Sequence, residues 1–140
     1  KRYAFFINEM NGKNAAYLYY ENLIQKNPTN YNYYINMAEL ALILNDQEKS
    51  VYLLSKAEKI EKPLVMKIVL LAYWAICFVF SEKYDSVNTT IEKICVLREN
   101  YKGYIHRDFT DLNSYVAINF SDTQKEKYNL ILNSLNKERK

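Results

Sequence analysis

The side chains best suited to chemistry are few and widely separated in this chain of 140 residues. His106 is the only histidine, so any Ser/His/Asp or Cys/His arrangement would have to use it. Cys77 and Cys95 lie 18 residues apart in apolar surroundings, without the close ligand spacing of a zinc site. We therefore expect two free thiols buried in a core and kept in a reducing compartment, with no metal and no cofactor.

His106, Arg107 and Asp108, followed by Asn113, have the spacing of the protein-kinase catalytic loop. In that loop the Asp orients a substrate hydroxyl and the Asn holds a metal ion. Those roles also need a Gly-rich loop, a strand-borne Lys and a DFG metal ligand, and the sequence has none of these motifs. Because the remaining carboxylates form no recognisable acid–base pair, we predict a non-enzymatic protein with no catalytic residue.

The composition indicates that helices must position whatever site exists. There are only two glycines and two prolines, which leaves little material for β-turns or phosphate-binding loops. The net charge is +3 and both signs are scattered along the chain, so the sequence carries no nucleic-acid footprint. We therefore predict an all-α protein that does not bind nucleic acid.

The longest apolar run covers residues 68–80 and is bracketed by Lys67 and Glu82. Thirteen apolar residues are too few for a membrane span, which needs about 20. We expect this run to form a central helix covered by neighbours on both sides, with no membrane insertion by this segment. A cytoplasmic location follows as an expectation from the free thiols and the absence of a signal peptide.

Apolar residues at helical spacing predict an antiparallel hairpin in the middle of the chain. Asn45 and Asp46 separate its two helices, and Asp46 suits the N-cap of the second. Ser121 and Gln124 have the spacing of a capping box and predict the start of a last helix. A loop is expected in the region from about Glu99 to Asn113, with a helix resuming around Thr110 and ending near Asn119.

Frames of 34 residues align three such hairpins. The best copy carries large and small residues in alternation and ends in a proline: Tyr34, Met37, Ala38, Ala41, Ser50, Leu54, Ala57 and Pro63. This pattern resembles the tetratricopeptide repeat (TPR) family. The resemblance implies an α-solenoid with a right-handed superhelix, made of three hairpins in residues 1–100, the first truncated. Residues 101–140 are then a loop followed by a degenerate hairpin or capping helix.

The resemblance also implies a concave groove formed by the first helix of each hairpin. Carried over position by position, the partner-binding residues are Phe5, Glu9, Asn32, Ile35, Asn36, Glu39, Leu42, Ile43, Ala72, Ile76, Val79 and Phe80. Family members that clamp acidic chaperone tails use polar or basic groups where this chain has Phe5, Tyr73 and Ile76, so that role is disfavoured.

Such an apolar groove is costly to expose, so something must cover it. One alternative is that the segment after Asn100, a second copy or adjoining repeats fill it. The other is that a partner's helix or peptide lies there, with Glu39 binding a basic side chain.

Three functions follow from these patterns. The first is a protein-interaction scaffold for a protein or peptide partner, with self-association also open. The second is a regulatory or positioning appendage of a larger enzyme or membrane protein. The third, an RNA-binding helical repeat, is disfavoured by the dispersed charge and the apolar groove positions.

Overall fold

The computed structural model describes residues 13–136, with side chains from residue 15 onward. Within this range the chain forms seven helices and no strand, which confirms the all-α prediction. In chain order these are α1 (Lys13–Lys26), α2 (Tyr31–Ile43), α3 (Gln47–Glu58), α4 (Leu64–Phe80), α5 (Tyr84–Arg98), α6 (Thr110–Asn119) and α7 (Asp122–Leu135). The contacts divide them into two compact units.

Unit 1 comprises residues 1–61 and 108–118, and its described helices are α1, α2, α3 and most of α6. Helices α2 and α3 form the predicted hairpin. Asp46 is the N-cap of α3, and its carboxylate accepts a hydrogen bond from the Lys49 N–H at 3.2 Å. Asn30 caps α2 in the same way, accepting from the Asn32 N–H at 3.0 Å. Local sequence thus sets where both helices begin.

Small side chains bring α2 and α3 close together. Ala38 and Ala41 of α2, and Ser50 and Ala57 of α3, are completely buried. Leu54 of α3 is also completely buried. Replacing a buried leucine such as Leu54 by alanine lowers the free energy of unfolding by about 2–5 kcal/mol, so burial of the side chains between α2 and α3 contributes to the stability of unit 1.

Unit 2 comprises residues 62–107 and 119–140, and its described helices are α4, α5 and α7. Helix α4 holds the long apolar run, and both α5 and α7 pack against it. Ile68, Ala72, Ala75, Ile76 and Val79 of α4 are all buried. None of the helices within residues 13–136 combines the length and hydropathy needed to cross a bilayer.

Helix α7 begins with the predicted capping box. The Ser121 hydroxyl accepts from the Gln124 N–H at 3.2 Å, and the Gln124 side chain accepts from the Ser121 N–H at 2.9 Å. The Gln124 amide also donates to the Val79 carbonyl at 3.2 Å, which fixes α7 against the end of α4. Phe80 and Phe120 meet edge to face, 4.8 Å between ring centroids, at the same place.

The segment between α5 and α6 is an irregular loop, as predicted, and α6 has the predicted bounds. Arg98 holds the start of the loop, because its guanidinium donates to the carbonyls of Tyr101 at 2.7 Å and Gly103 at 2.9 Å. Asn136 holds its middle, accepting from the Ile105 N–H at 2.9 Å and donating to the Ile105 carbonyl at 2.8 Å. The loop is therefore pinned to its own unit at both points.

Candidate functional site

Most residues expected in the concave groove are buried. In unit 1 the side chains of Ile35, Glu39 and Leu42 are buried, Asn36 and Ile43 are half-buried, and Asn32 is exposed. In unit 2 the buried positions are Ala72, Ile76, Val79 and Phe80. Phe5 and Glu9 lie outside the described residues.

This burial removes the physical reason for expecting a partner at these positions. An apolar side chain that is already out of water has no exposed area left for a partner to cover. Residues 108–118 belong to unit 1, and Leu112 and Val116 of this segment are buried. That the segment after Asn100 fills the groove stays a prediction.

The residues of the kinase-like triplet contact neighbouring side chains and backbone. His106 is exposed and packs edge to face on Tyr104, with ring centroids 4.6 Å apart. The Arg107 side chain donates to the Tyr73 hydroxyl at 2.9 Å and lies over that ring. The Asp108 carboxylate accepts from the Thr110 N–H at 2.9 Å, where α6 begins. Arg107 thus binds the Tyr73 side chain, and Asp108 binds the backbone at the start of α6.

The two cysteines differ in their environments. Cys77 is buried and free, as the sequence predicts, but Cys95 is exposed. The expectation of a buried Cys95 is therefore wrong. The neighbouring Ile94 is completely buried, and one helical residue turns the next side chain by about 100°. Cys95 thereby leaves the core and reaches a groove between α5 and α7.

This groove, which we call the α5/α7 groove, is the candidate functional site. It has a volume of about 620 Å³. Ile91 and Cys95 of α5 and Leu130 of α7 supply its apolar surface. Leu130 is 43% exposed, so a substantial part of a large apolar side chain remains in contact with water. A partner that covers this side chain recovers hydrophobic free energy on binding.

Asparagine amides line the rest of the groove, and none of its described lining residues is charged: the polar members are Asn88, Asn133, Ser134 and Asn136. The Lys127 ammonium of α7 donates to the Asn88 amide oxygen of α5 at 3.2 Å and links the two helices. Asn136 is held by Ile105, as described above. The groove therefore has fixed polar positions beside an apolar surface, an arrangement typical of ligand-binding pockets.

Sequence reasoning missed this site because it placed the binding surface on the first helix of each hairpin. The available signal was the position of Leu130 and Cys95, each next to a buried core residue, Ile131 and Ile94 respectively. Such neighbours lie at the edge of the buried face of a helix, where a groove between two helices begins.

Within residues 13–136 there is no cluster of three or more His, Cys, Asp or Glu side chains that could hold a metal ion. No protein-family model, curated protein or solved structure matches this chain.

Proposed function

We propose that this chain is a non-enzymatic protein-interaction module made of TPR-like helical hairpins, and that it binds its partner in the α5/α7 groove. The observation that carries the proposal is the exposed apolar surface of Leu130, Ile91 and Cys95 between two helices. The hairpin α2–α3, with its buried small residues, supports the TPR-like part of the proposal.

The lining of the groove defines the chemistry of the partner. Because no charged side chain is among the described lining residues, the bound segment is expected to be apolar and uncharged where it enters. The exposed Asn133 amide can donate to and accept from a peptide backbone. An apolar helix or peptide segment of another protein therefore fits this groove better than an acidic or basic one.

Substitution of Leu130 tests the proposal. Immobilised wild-type chain is expected to retain a partner from a lysate of the source organism, read by quantitative mass spectrometry. Leu130→Glu places a charge in the groove and should reduce retention of that partner at least tenfold, since an unpaired charge opposes apolar contact. Leu130 is exposed enough for the variant to fold, which a circular dichroism melting curve will verify.

Val51→Glu is the matched control. Val51 is 42% exposed on α3 and does not line this groove. Val51→Glu therefore replaces an apolar side chain of nearly equal exposure by glutamate outside the groove. Retention by wild type and Val51→Glu, with loss in Leu130→Glu, supports the proposal. Equal retention by all three chains, or no protein retained above the empty matrix, overturns it.

A further inference from the structure

A second groove lies in unit 1 between α1 and α3, and we call it the α1/α3 groove. Its volume is about 450 Å³. Ile24 of α1, which is half-buried, and Tyr52 of α3, which is 58% exposed, supply an apolar floor above the nearly fully buried Met37 and Leu53. Tyr34 also lines it, and its hydroxyl donates to the Pro28 carbonyl at 2.9 Å, which holds the ring in place.

Two lysines of α3 line this groove and form no ion pair among the described residues. The Lys49 ammonium lies 5.0 Å from the centroid of the Tyr17 ring, and the Lys56 ammonium lies 5.3 Å from that of Tyr52. A cation over an aromatic ring keeps its charge and its three N–H donors for a further partner. Both ammonium groups are therefore held in position and remain available to an anion.

Charge on α3 is segregated between faces. Lys49 and Lys56 line the groove, whereas Glu48 and Glu58 do not. The facing helix α1 contributes one carboxylate, Glu21, which is exposed. Among the described residues, the lining of this groove thus carries two cations and one carboxylate, whereas the described lining of the α5/α7 groove is uncharged.

The spacing of the two lysines favours a helical ligand. Lys49 and Lys56 are seven residues apart, which corresponds to two turns and about 10.5 Å along α3. Carboxylates at positions i and i+7 of a helix lie on one face at the same separation. In an extended peptide about three residues cover that distance, and residues three apart point to opposite faces. A helix can therefore reach both lysines while its apolar residues contact the floor.

We propose that the α1/α3 groove binds an acidic amphipathic helix of a partner protein, with two carboxylates two turns apart that pair with Lys49 and Lys56. Apolar side chains at i+3 and i+4 of that helix contact Ile24 and Tyr52. The groove lies in unit 1 and the α5/α7 groove in unit 2, so neither proposal depends on the other.

A labelled peptide tests the proposal directly. The probe is a fluorescein-tagged, Ala-rich helical peptide with Glu at i and i+7 and Leu at i+3 and i+4, titrated with the full chain and followed by fluorescence anisotropy. We expect a Kd of about 1–100 μM, typical of a short helix in a shallow groove. The double variant Lys49→Glu/Lys56→Glu should raise this Kd about tenfold or more, because two attractive pairs become repulsive.

Two matched controls separate register from charge. Lys26→Glu/Lys59→Glu makes the same charge change at exposed positions that do not line the groove, and should leave the Kd within about twofold. A peptide of identical composition with the second Glu at i+9 places that carboxylate on the opposite face, and should bind at least fivefold more weakly.

Several outcomes overturn the proposal. These are no binding of the first peptide, equal binding of the i+9 peptide, and an equal loss in the control variant. Tighter binding of a single-stranded RNA oligonucleotide through the same two lysines would show a phosphate site instead. Concentration-dependent self-association of the chain that is lost in Lys49→Glu/Lys56→Glu would assign the groove to a second copy.

Discussion

Asn45 and Glu82 occupy the same position in the turns of two successive helical hairpins. Both have left-handed backbone conformations, with φ of 60° and 59°. After Asn45, the Asp46 N–H donates to the Ala41 carbonyl at 2.7 Å, and the equivalent bond after Glu82 is 2.9 Å. This is the Schellman arrangement that ends a helix. The two turns lie 37 residues apart, which is the 34-residue frame with the three-residue insertion inferred from the sequence.

Replacing Glu82 by glycine should stabilise the protein. A side chain in the left-handed region destabilises the folded state by about 1–2 kcal/mol, and glycine removes this strain. Glycine also lowers stability by about 0.4–1 kcal/mol, because it raises the conformational entropy of the unfolded chain. Glu82→Gly is therefore expected to raise the free energy of unfolding by about 0.5–1 kcal/mol in urea denaturation. Asn45→Gly should gain less, because asparagine tolerates this conformation better. A loss of stability in Glu82→Gly would show that the turn does not adopt this conformation.

Substitution of Ile76 tests whether this residue is buried or lines an open groove. Ile76 is completely buried, so Ile76→Ala should lower the free energy of unfolding by about 2–5 kcal/mol. Ile118 is 82% exposed, and Ile118→Ala should change the free energy of unfolding by less than about 0.5 kcal/mol. Chemical denaturation measures both. An equally small effect of Ile76→Ala would indicate that Ile76 is exposed, as the open concave groove implied by the TPR resemblance requires.

Asn136 fixes the loop after α5 through its two bonds to the Ile105 backbone. Asn136→Ala leaves both backbone groups without that partner and should cost about 1–3 kcal/mol. Hydrogen exchange of the Ile105 amide should accelerate in this variant. Asn133→Ala is the control, because Asn133 is exposed on the same helix, and the exchange of Ile105 should not change. Exchange of the Ile105 amide at the wild-type rate in Asn136→Ala would contradict the role assigned to Asn136.

Tyr17 makes stability depend on pH in the alkaline range. Burial, and then the negative charge of Asp46, raises the pKa of the Tyr17 phenol well above its ordinary value. The folded state therefore favours the protonated phenol, and this contribution is complete below the unfolded pKa of about 10. It is lost as the pH rises from there toward the folded-state pKa.

Tyr17→Phe removes this dependence. The Tyr17 hydroxyl faces the Asp46 carboxylate without a hydrogen bond of good geometry, so its loss should change the free energy of unfolding by less than about 1 kcal/mol near neutral pH. Between about pH 9 and pH 11, the urea midpoint of wild type should fall more steeply than that of Tyr17→Phe. Tyr104→Phe, at a position 65% exposed, serves as the control and should keep the wild-type slope. Parallel slopes in wild type and Tyr17→Phe would refute the assignment.

Local signals in the sequence predict the elements of this fold well. The Asp46 and Ser121 caps and the start of α6 at Thr110 follow from side chains that bond their own neighbouring backbone. These interactions span a few residues, so a single sequence contains them. The left-handed Glu82 carries no such signal, because no glycine marks its turn.

The site depends on tertiary contacts, and these were predicted less well. Burial of Ile35 and Ile76 depends on which segments cover them, and helical spacing cannot specify the covering segment. Residues 108–118 belong to unit 1, and Leu112 and Val116 are the buried residues of α6, but helical spacing alone does not say which unit they join. The exposure of Cys95 depends on where α7 packs, information that α5 alone does not contain.

Photo-crosslinking from Cys95 tests the proposed partner site most directly. Cys95 is exposed in the α5/α7 groove while Cys77 is buried, so a benzophenone maleimide will label the groove selectively in the native chain. Irradiation in a lysate of the source organism should give one discrete adduct, and the same label in Leu130→Glu should not. No adduct, or an adduct of equal yield in Leu130→Glu, would contradict a partner bound in this groove.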